Sequence, residues 1–562
     1  MKIRKIIISH LFILLLISSC STKQLIVTNL NVKNKKLSQE QLKSWQHKDI
    51  ISDSIFGISL DKAYQELIRN KKGKEIIVAV IDTQVDLNHE DLKNSFWLNK
   101  DEIPNNNIDD DNNGYIDDVH GWNFIGNLKG ESLPRTNFEY VRVVKKYSDI
   151  YNNSMCDSIY DSKCKTYKKA LKIYTYELKR VKHNYLMFTN WQIRYNNTKK
   201  VLKPFFPKGN YTLKVLNEIK TTDTIILKEI KNMRNHINWE QSDEWSKRNT
   251  AKEKKYIDYY LNINLNNRQK IVGDNPYDIK DTNYGFHNVT KNENQINHSN
   301  HSTKVTGIIN ANRNNGIGIK GISNRIKIMP LVVSTYGDEY DKDIALAIRY
   351  AVDNGAQVIN MSSSKDFSTN PEWVQNALKY AEKHNVLFIN CASNENNNTD
   401  VDTTFPNDID NNGEEIVSNF INVGASTYQV NKYLVAPFSN YGEKNVDIFA
   451  PGNDIFTTKI NNTYKFVGGT SYSAPIVSGV AALIWSHYPK LKAYEVKEII
   501  LESGISYDMD VILPAGYQSE KETLVPFKSL SKSGKIVNAY NALLLARHYK
   551  KWKKGKWKMK SN

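Results

Sequence analysis

EIIVAVID (75–82) is an almost unbroken apolar, β-branched run that ends on a carboxylate, Asp82. A run with no polar alternation predicts a strand buried on both faces, as the strands of a parallel sheet are. Four further runs of this kind follow: KIMPLVVST (327–335), AQVINMSSS (356–364), VLFINCASN (386–394) and NFINVGAST (419–427). Helical signals lie between them. DKDIALAIRYAVDNG (341–355) has apolar residues at helical spacing and a Gly stop, and NPEWVQNALKYAEKHN (370–385) offers Asn370 as N-cap and Pro371 at the first helical position. Strand and helix alternating in this way predict an α/β fold with a mostly parallel, doubly wound sheet.

The chain has 562 residues, a formal net charge of +17, 40% hydrophobic and 24% charged residues, and 4 Cys. That composition excludes wholesale disorder, and so few cysteines exclude a disulfide-built scaffold. The basic charge is unevenly placed. Residues 125–300 hold 32 basic against 18 acidic residues, and the tail 548–562 holds seven Lys and no acid. The remainder is mildly acidic, so the charge describes accessory segments and does not call for a nucleic-acid partner.

Ligands of open parallel sheets gather outside the carboxyl ends of the strands. Asp82, Asn394 and the serines Ser362, Ser363 and Ser364 fall at such ends. HSTKVTGIIN (301–310) opens a helix with His301, and GTSYSAPIVSGVAALIW (469–485) carries Ser471 at its start. The second segment is apolar or small nearly all round, which predicts a buried central helix. An Asp, a His and a Ser at such termini are the parts of a nucleophilic triad: Ser471 to attack a carbonyl, His301 to move its proton, Asp82 to orient the imidazole. Asn394 and the backbone N–H at Ser471 would stabilise the oxyanion.

In the order Asp, His, Ser, these local sequences resemble subtilisin-like serine peptidases. VAVIDTQVDLNHEDL (78–92) is similar to the family's Asp region and HSTKVTGIINANRNNGIGIKGIS (301–323) to its His region. VINMSSS resembles the substrate-binding strand, CASN the oxyanion segment, and FSNYG (438–442), VDIFAPG (446–452) and GTSYSAP (469–475) the stretch around the nucleophile. The resemblance covers roughly 55–124 and 298–547. It implies a three-layer subtilisin-like α/β fold, peptide-bond hydrolysis through an acyl-enzyme, polypeptide substrates, and no cofactor for the chemistry. It departs at glycines: Gln84, Ser302, Ser364 and Ser393 stand where the family usually has Gly. Ser362, Ser363, Ser364 and Ser393 would bind substrate, with Ser364 and Ser393 narrowing the pocket or making it more polar. These departures motivate an alternative, a catalytically weak or inactive protein of this fold that uses its insertion to hold a partner. His298, three before His301, lacks the following Thr-x-Val-x-Gly; Ser473 is expected to face packing and His89 to be structural.

The N-terminus carries Lys2, Arg4 and Lys5, then IIISHLFILLLI, then Ser18, Ser19 and Cys20. This reads as a signal peptide (1–19), and Ile17-Ser18-Ser19-Cys20 resembles a bacterial lipobox, implying a lipid anchor on Cys20. The alternative is an ordinary secretory signal with a chance Cys. The lipoprotein reading places the protein in the cell envelope, tethered to membrane, at the outer membrane in a Gram-negative cell. In an oxidising compartment Cys156 and Cys164 could pair or remain free thiols, whereas Cys391 reads as a small buried residue.

Four segments complete the plan: an N-terminal segment (20–54), the peptidase domain (55–547), a mainly helical insertion within it (125–297), and a basic tail (548–562) without apolar periodicity. The short stretch before the first core strand, with a helix at DKAYQELIRNKK (61–72), leaves little room for an inhibitory propeptide, so signal cleavage alone is expected to mature the protein. Two acidic loops share an Asp-x-Asp-x-Asn-Gly rhythm: Asp109, Asp111, Asn113 and Gly114, and Asp408, Asp410, Asn412 and Gly413. That rhythm matches the first half of a calcium loop, and Asp117 and Asp118 could complete the first site. The alternative is an Asx-turn loop holding no ion.

Overall fold

The computed structural model describes residues 36–151, 162–290, 300–410, 412–515 and 522–559. The signal peptide, Cys20, Cys156 and His298 lie outside the described residues. At the centre is a nine-stranded sheet. Its members are β1 (Ile76–Asp82), β2 (Trp122–Asn123), β3 (Ile326–Val332), β4 (Val358–Met361), β5 (Leu387–Cys391), β6 (Phe420–Ser426), β7 (Ile448–Pro451), β10 (Ile505–Ser506) and β13 (Lys535–Ile536). The order is β10-β13-β7-β6-β5-β4-β1-β3-β2, and every pairing is parallel except β10 with β13. Two antiparallel hairpins stand apart: β8 (Ile455–Lys459) with β9 (Thr463–Val467), and β11 (Asp510–Ile512) with β12 (Leu524–Pro526).

Alternate residues of each strand point to opposite faces. Val78 and Val80 of β1, with Leu387 and Ile389 of β5, enter one apolar core, while Ala79, Ile81 and Phe388 enter the other. Each fully buried aliphatic side chain contributes about 1.5–3 kcal/mol. Both cores therefore need a helical layer, which is why these strands read as unbroken apolar runs.

Among the helices are α1 (Leu60–Glu66), α2 (Glu139–Tyr147), α3 (Ser162–Leu202), α4 (Leu213–Glu218), α5 (Thr224–Asn238), α6 (Asp243–Lys255), α7 (Asn267–Ile271), α8 (Asn300–Asn310), α9 (Asp341–Asp353), α10 (Pro371–Lys383), α11 (Thr470–His487), α12 (Ala493–Ser503) and α13 (Ala539–Lys553). α9 and α10 cover one face; α8, α11, α12 and α13 cover the other. α11 is buried along almost its whole length. A Cβ on Gly479 would lie 2.5 Å from Ile322, so only glycine permits this approach. Among the described residues no helix is long and apolar enough to cross a membrane.

Three local expectations change. Asn370 does not cap α10 with its side chain; its Oδ1 instead accepts from Lys146 Nζ at 2.7 Å. Residues 36–54 are not a separate segment: Leu37, Leu42 and Trp45 are buried in the sheet's own core. The basic tail does not begin at 548, because α13 continues to Lys553 and Trp552, Trp557 and Met559 pack onto that core.

The insertion runs through α2 to α7 and is fastened by buried charge. Three consecutive residues at the start of α9, Asp341, Lys342 and Asp343, receive it. Arg268 pairs with Asp274 at 2.8 Å and with Asp343 at 2.5 Å, and Lys342 reaches Asp274 at 2.8 Å. Glu139 pairs with Arg142, while Lys365, the residue after Ser364, meets Asp341 at 2.8 Å and Glu139 at 3.6 Å. Removing one partner of a buried network leaves an uncompensated charge and costs about 3–5 kcal/mol. Arg268→Ala is therefore expected to lower the unfolding free energy by an amount in that range, seen as an earlier denaturation midpoint; a wild-type midpoint would show that these charges do not hold the insertion.

Candidate active site

In the sheet order β1 lies between β3 and β4, the point from which the chain winds in both directions. Asp82 is its last residue, at the carboxyl end where a doubly wound sheet leaves a crevice. The Asp82 main-chain oxygen accepts from Val333 and Ser334 N–H at 3.0 and 3.2 Å. Its carboxylate accepts from Thr83 N–H at 2.6 Å.

His301, in the first turn of α8, brings Nδ1 to 2.9 and 2.8 Å from the two carboxylate oxygens of Asp82. Thr83 Oγ1 accepts from Ser302 N–H at 3.2 Å and thereby ties the helix to the strand end. The Asp82 side chain is 2% exposed and the His301 side chain 32%, so a substrate can reach the imidazole but not the carboxylate. Burial presses the His301 pKa down. The charge and hydrogen bond of Asp82 outweigh it and hold the pKa above its ordinary value of 6.5. An Asp82-bound Nδ1–H leaves Nε2 to take a proton.

Ser471 is the second residue of α11 and half-buried. The ring of Tyr472 lies 5.7 Å from that of His301. Gly469 precedes α11 at φ +150°, in a region that favours glycine. Backbone N–H groups in the first turn of a helix lack intrahelical partners and carry its positive end. Asn394 Oδ1 accepts from Thr470 N–H at 2.8 Å and from Thr470 Oγ1 at 3.2 Å. The amide oxygen is thus tied down, and Nδ2 is the end left to donate.

The serines differ in fate. Ser362 is buried, and its hydroxyl accepts from Asn360 Nδ2 at 2.9 Å, so it does not line a pocket. Ser363 and Ser364 are half-buried and their hydroxyl oxygens have no partner. Ser393 adopts φ +82°, the conformation glycine would take freely. A side chain there costs on the order of 1–3 kcal/mol. Gln84 and Ser302 are buried with unpartnered side-chain oxygens. Ser473 donates to the Ala450 carbonyl at 3.1 Å. His89 accepts from Asp91 N–H through Nδ1. Burial pushes the Cys391 thiol up to about 11, which leaves it unreactive. Cys164 is disulfide-bonded.

In the first acidic loop the carboxylates of Asp109 and Asp111 converge with Glu102, with ligand atoms within 4.8 Å of one another. Burial, with Asp118 and Asp111 nearby, raises the Glu102 pKa. Such crowding of carboxylates fits a hard cation. Asp117 is not among the converging carboxylates; its own accepts from Asn106 and Asn107 N–H at 3.1 and 3.0 Å. Asn113 spends its amide oxygen on Tyr115 N–H at 2.8 Å. Asp118 holds Asn99 and Tyr350. In the second loop no three acidic side chains converge among the described residues. Asp410 accepts from Asn412 and Glu414 N–H at 2.8 and 3.0 Å, an Asx-turn arrangement, and Asp408 is pushed up to about 7 by burial and by Asp447. Among the described residues, Asp408 and Asp410 therefore belong to no cluster of three acidic ligands. Glu102 escapes the sequence rhythm, for it stands seven residues before Asp109.

Comparison with known proteins bears on what this site belongs to. A region of 224 residues is 34% identical to the cell wall-associated protease of Bacillus subtilis, covering 40% of this chain and 23% of that protein. A region of 190 residues is 37% identical to the thermophilic serine proteinase of Bacillus sp. AK1, covering 34% of this chain and 43% of that protein. The chain spans less than half the length of these relatives. Among solved structures, a protease from Pseudoalteromonas arctica overlaps 44% of this chain and 70% of its own at 27% identity, with a TM-score of 0.35. The model of the peptidase S8 family, the subtilases, matches residues 73–523. This chain belongs to the subtilase family.

Proposed function

We propose that the protein is a serine endopeptidase that hydrolyses polypeptides through Asp82, His301 and Ser471. The observation that carries this reading is the buried Asp82 carboxylate bonded to His301 Nδ1 at 2.8 Å, with the His301 ring 5.7 Å from that of Tyr472 in the first turn of α11. His301 Nε2 takes the Ser471 proton as Oγ attacks the carbonyl, and later returns it to the leaving amine. Asn394 Nδ2 and the Ser471 N–H receive the oxyanion. Ser363, Ser364 and Ser393 line the substrate side of the site. The alternative, an inactive binding protein, draws its support from the strained Ser393.

A fluorophosphonate probe is expected to label wild type and not Ser471→Ala, and Asn394→Ala to lower kcat by about 10²–10³-fold. Absence of label on folded wild type would favour the binding protein. We propose further that Cys20 carries a lipid anchor in the cell envelope, and that calcium binds at Glu102, Asp109 and Asp111 as a structural ion. A chelator should then lower Tm and added calcium restore it, with Glu102→Gln insensitive to both; a Tm indifferent to chelator would refute the ion.

A further inference from the structure

A groove of about 560 Å³ lies between the insertion and the turn that follows β3. One wall is α6 with the π-helical turn Tyr256–Tyr260 that continues it. Such turns are rare and concentrate at functional sites. The other wall is Tyr336 and Gly337. The base is a built structure. Phe138 stacks on Tyr260 with ring centres 5.2 Å apart, and the Arg135 guanidinium bridges Tyr259 and Tyr336 at 5.5 and 5.2 Å from their rings. Asn137 Nδ2 donates to the carbonyls of Tyr259 and Asn262 at 2.7 and 2.9 Å.

Arg248, Lys252 and Lys255 face this groove, at the i, i+4, i+7 spacing that aligns side chains on one helix face. Other lysines of the same stretch are neutralised locally: Lys247 pairs with Asp243 and Lys254 with Asp258, each at 2.7 Å. The side chains of the three that face the groove have no ion-pair or hydrogen-bond partner among the described residues. Three aligned cations over an aromatic base suit an extended anionic chain bearing apolar side chains.

The groove is close to the reacting centre. Ser334 N–H is bonded to the Asp82 carbonyl, and Tyr336 is two residues on, at most about 7 Å along the chain. We propose that this groove is a second substrate site, which takes an acidic segment of the polypeptide flanking the bond to be cleaved. The proposal rests on the peptidase reading and adds to it a substrate class. It also gives the insertion a task, because the three cations and the rings of Phe138, Tyr259 and Tyr260 belong to it.

The test uses the full chain carrying Ser471→Ala and a fluorescent ten-residue peptide rich in Asp and Glu, against its Asn/Gln counterpart, read by anisotropy at low salt. The acidic peptide is expected to bind about tenfold more tightly. The preference should fade as salt rises, vanish in Arg248→Gln/Lys252→Gln/Lys255→Gln, and survive in Arg248→Lys/Lys252→Arg/Lys255→Arg. Equal binding of the two peptides, or a preference that persists in the Gln variant, would overturn the proposal. So would selective binding of a short oligonucleotide or a phosphatidylserine vesicle in place of the acidic peptide. Fluorophosphonate labelling of wild type reports separately on the peptidase reading, since peptide binding to the Ser471→Ala protein needs no catalysis.

Discussion

A carboxylate that is 2% exposed at the end of a central strand must be paired, and Asp82 is paired with His301. The two residues are 219 positions apart, with the whole insertion between them. Their bond therefore requires β1 to sit at the winding point of the sheet and α8 to present its first turn there. Thr83, bonded to Ser302, and Thr303, bonded to Asp86, hold the two elements in that register. Unpaired, the Asp82 charge would be costly to bury. The pair accordingly serves the fold and the site together.

Much of the architecture is legible in sequence because a strand buried on both faces cannot alternate. β1, β3, β4, β5 and β6 each leave an apolar run of that kind. The edge strands β2 and β10, and β13 beside β10, are two residues long and leave no pattern. Positions at element ends are legible too: Asp82 closes β1, His301 stands in the first turn of α8 and Ser471 in that of α11, whereas Asn394 lies three residues past the end of β5. Convergence from different elements is not legible. Arg268 and Asp343 are 75 residues apart, and nothing in either local sequence announces the other. The same holds for Glu102, whose two oxygens organise the acidic loop by accepting from Asp110, Asp111 and Asp117 N–H. Regular spacing points to Asn113 instead, whose amide oxygen is bonded to Tyr115 N–H.

The replaced glycines fall into distinct physical classes. Ser393 carries backbone strain, whereas Gln84, Ser302 and Ser364 bury oxygens without partners. Stability has to come from elsewhere, and the ion clusters at Asp341–Asp343 lie one residue chain away from the pocket through Lys365. The insertion is thus joined to the segment that follows β4 as well as to α9. A segment that is basic and aromatic on the outside is, at its root, held by buried acid–base pairs.

In the proposed mechanism Asp82 makes His301 the base that activates Ser471. The pH dependence of the rate at which a fluorophosphonate phosphonylates Ser471, with loss of fluoride, tests this in wild type and Asp82→Asn between about pH 5 and pH 9. Protonated His301 cannot accept the Ser471 proton, and Asp82 raises the His301 pKa above 6.5, so the wild-type rate should fall on acidification with a midpoint above that value. Asp82→Asn should be slower by about 10⁴-fold. A wild-type rate that does not change with pH, or an Asp82→Asn rate equal to wild type, would contradict the account.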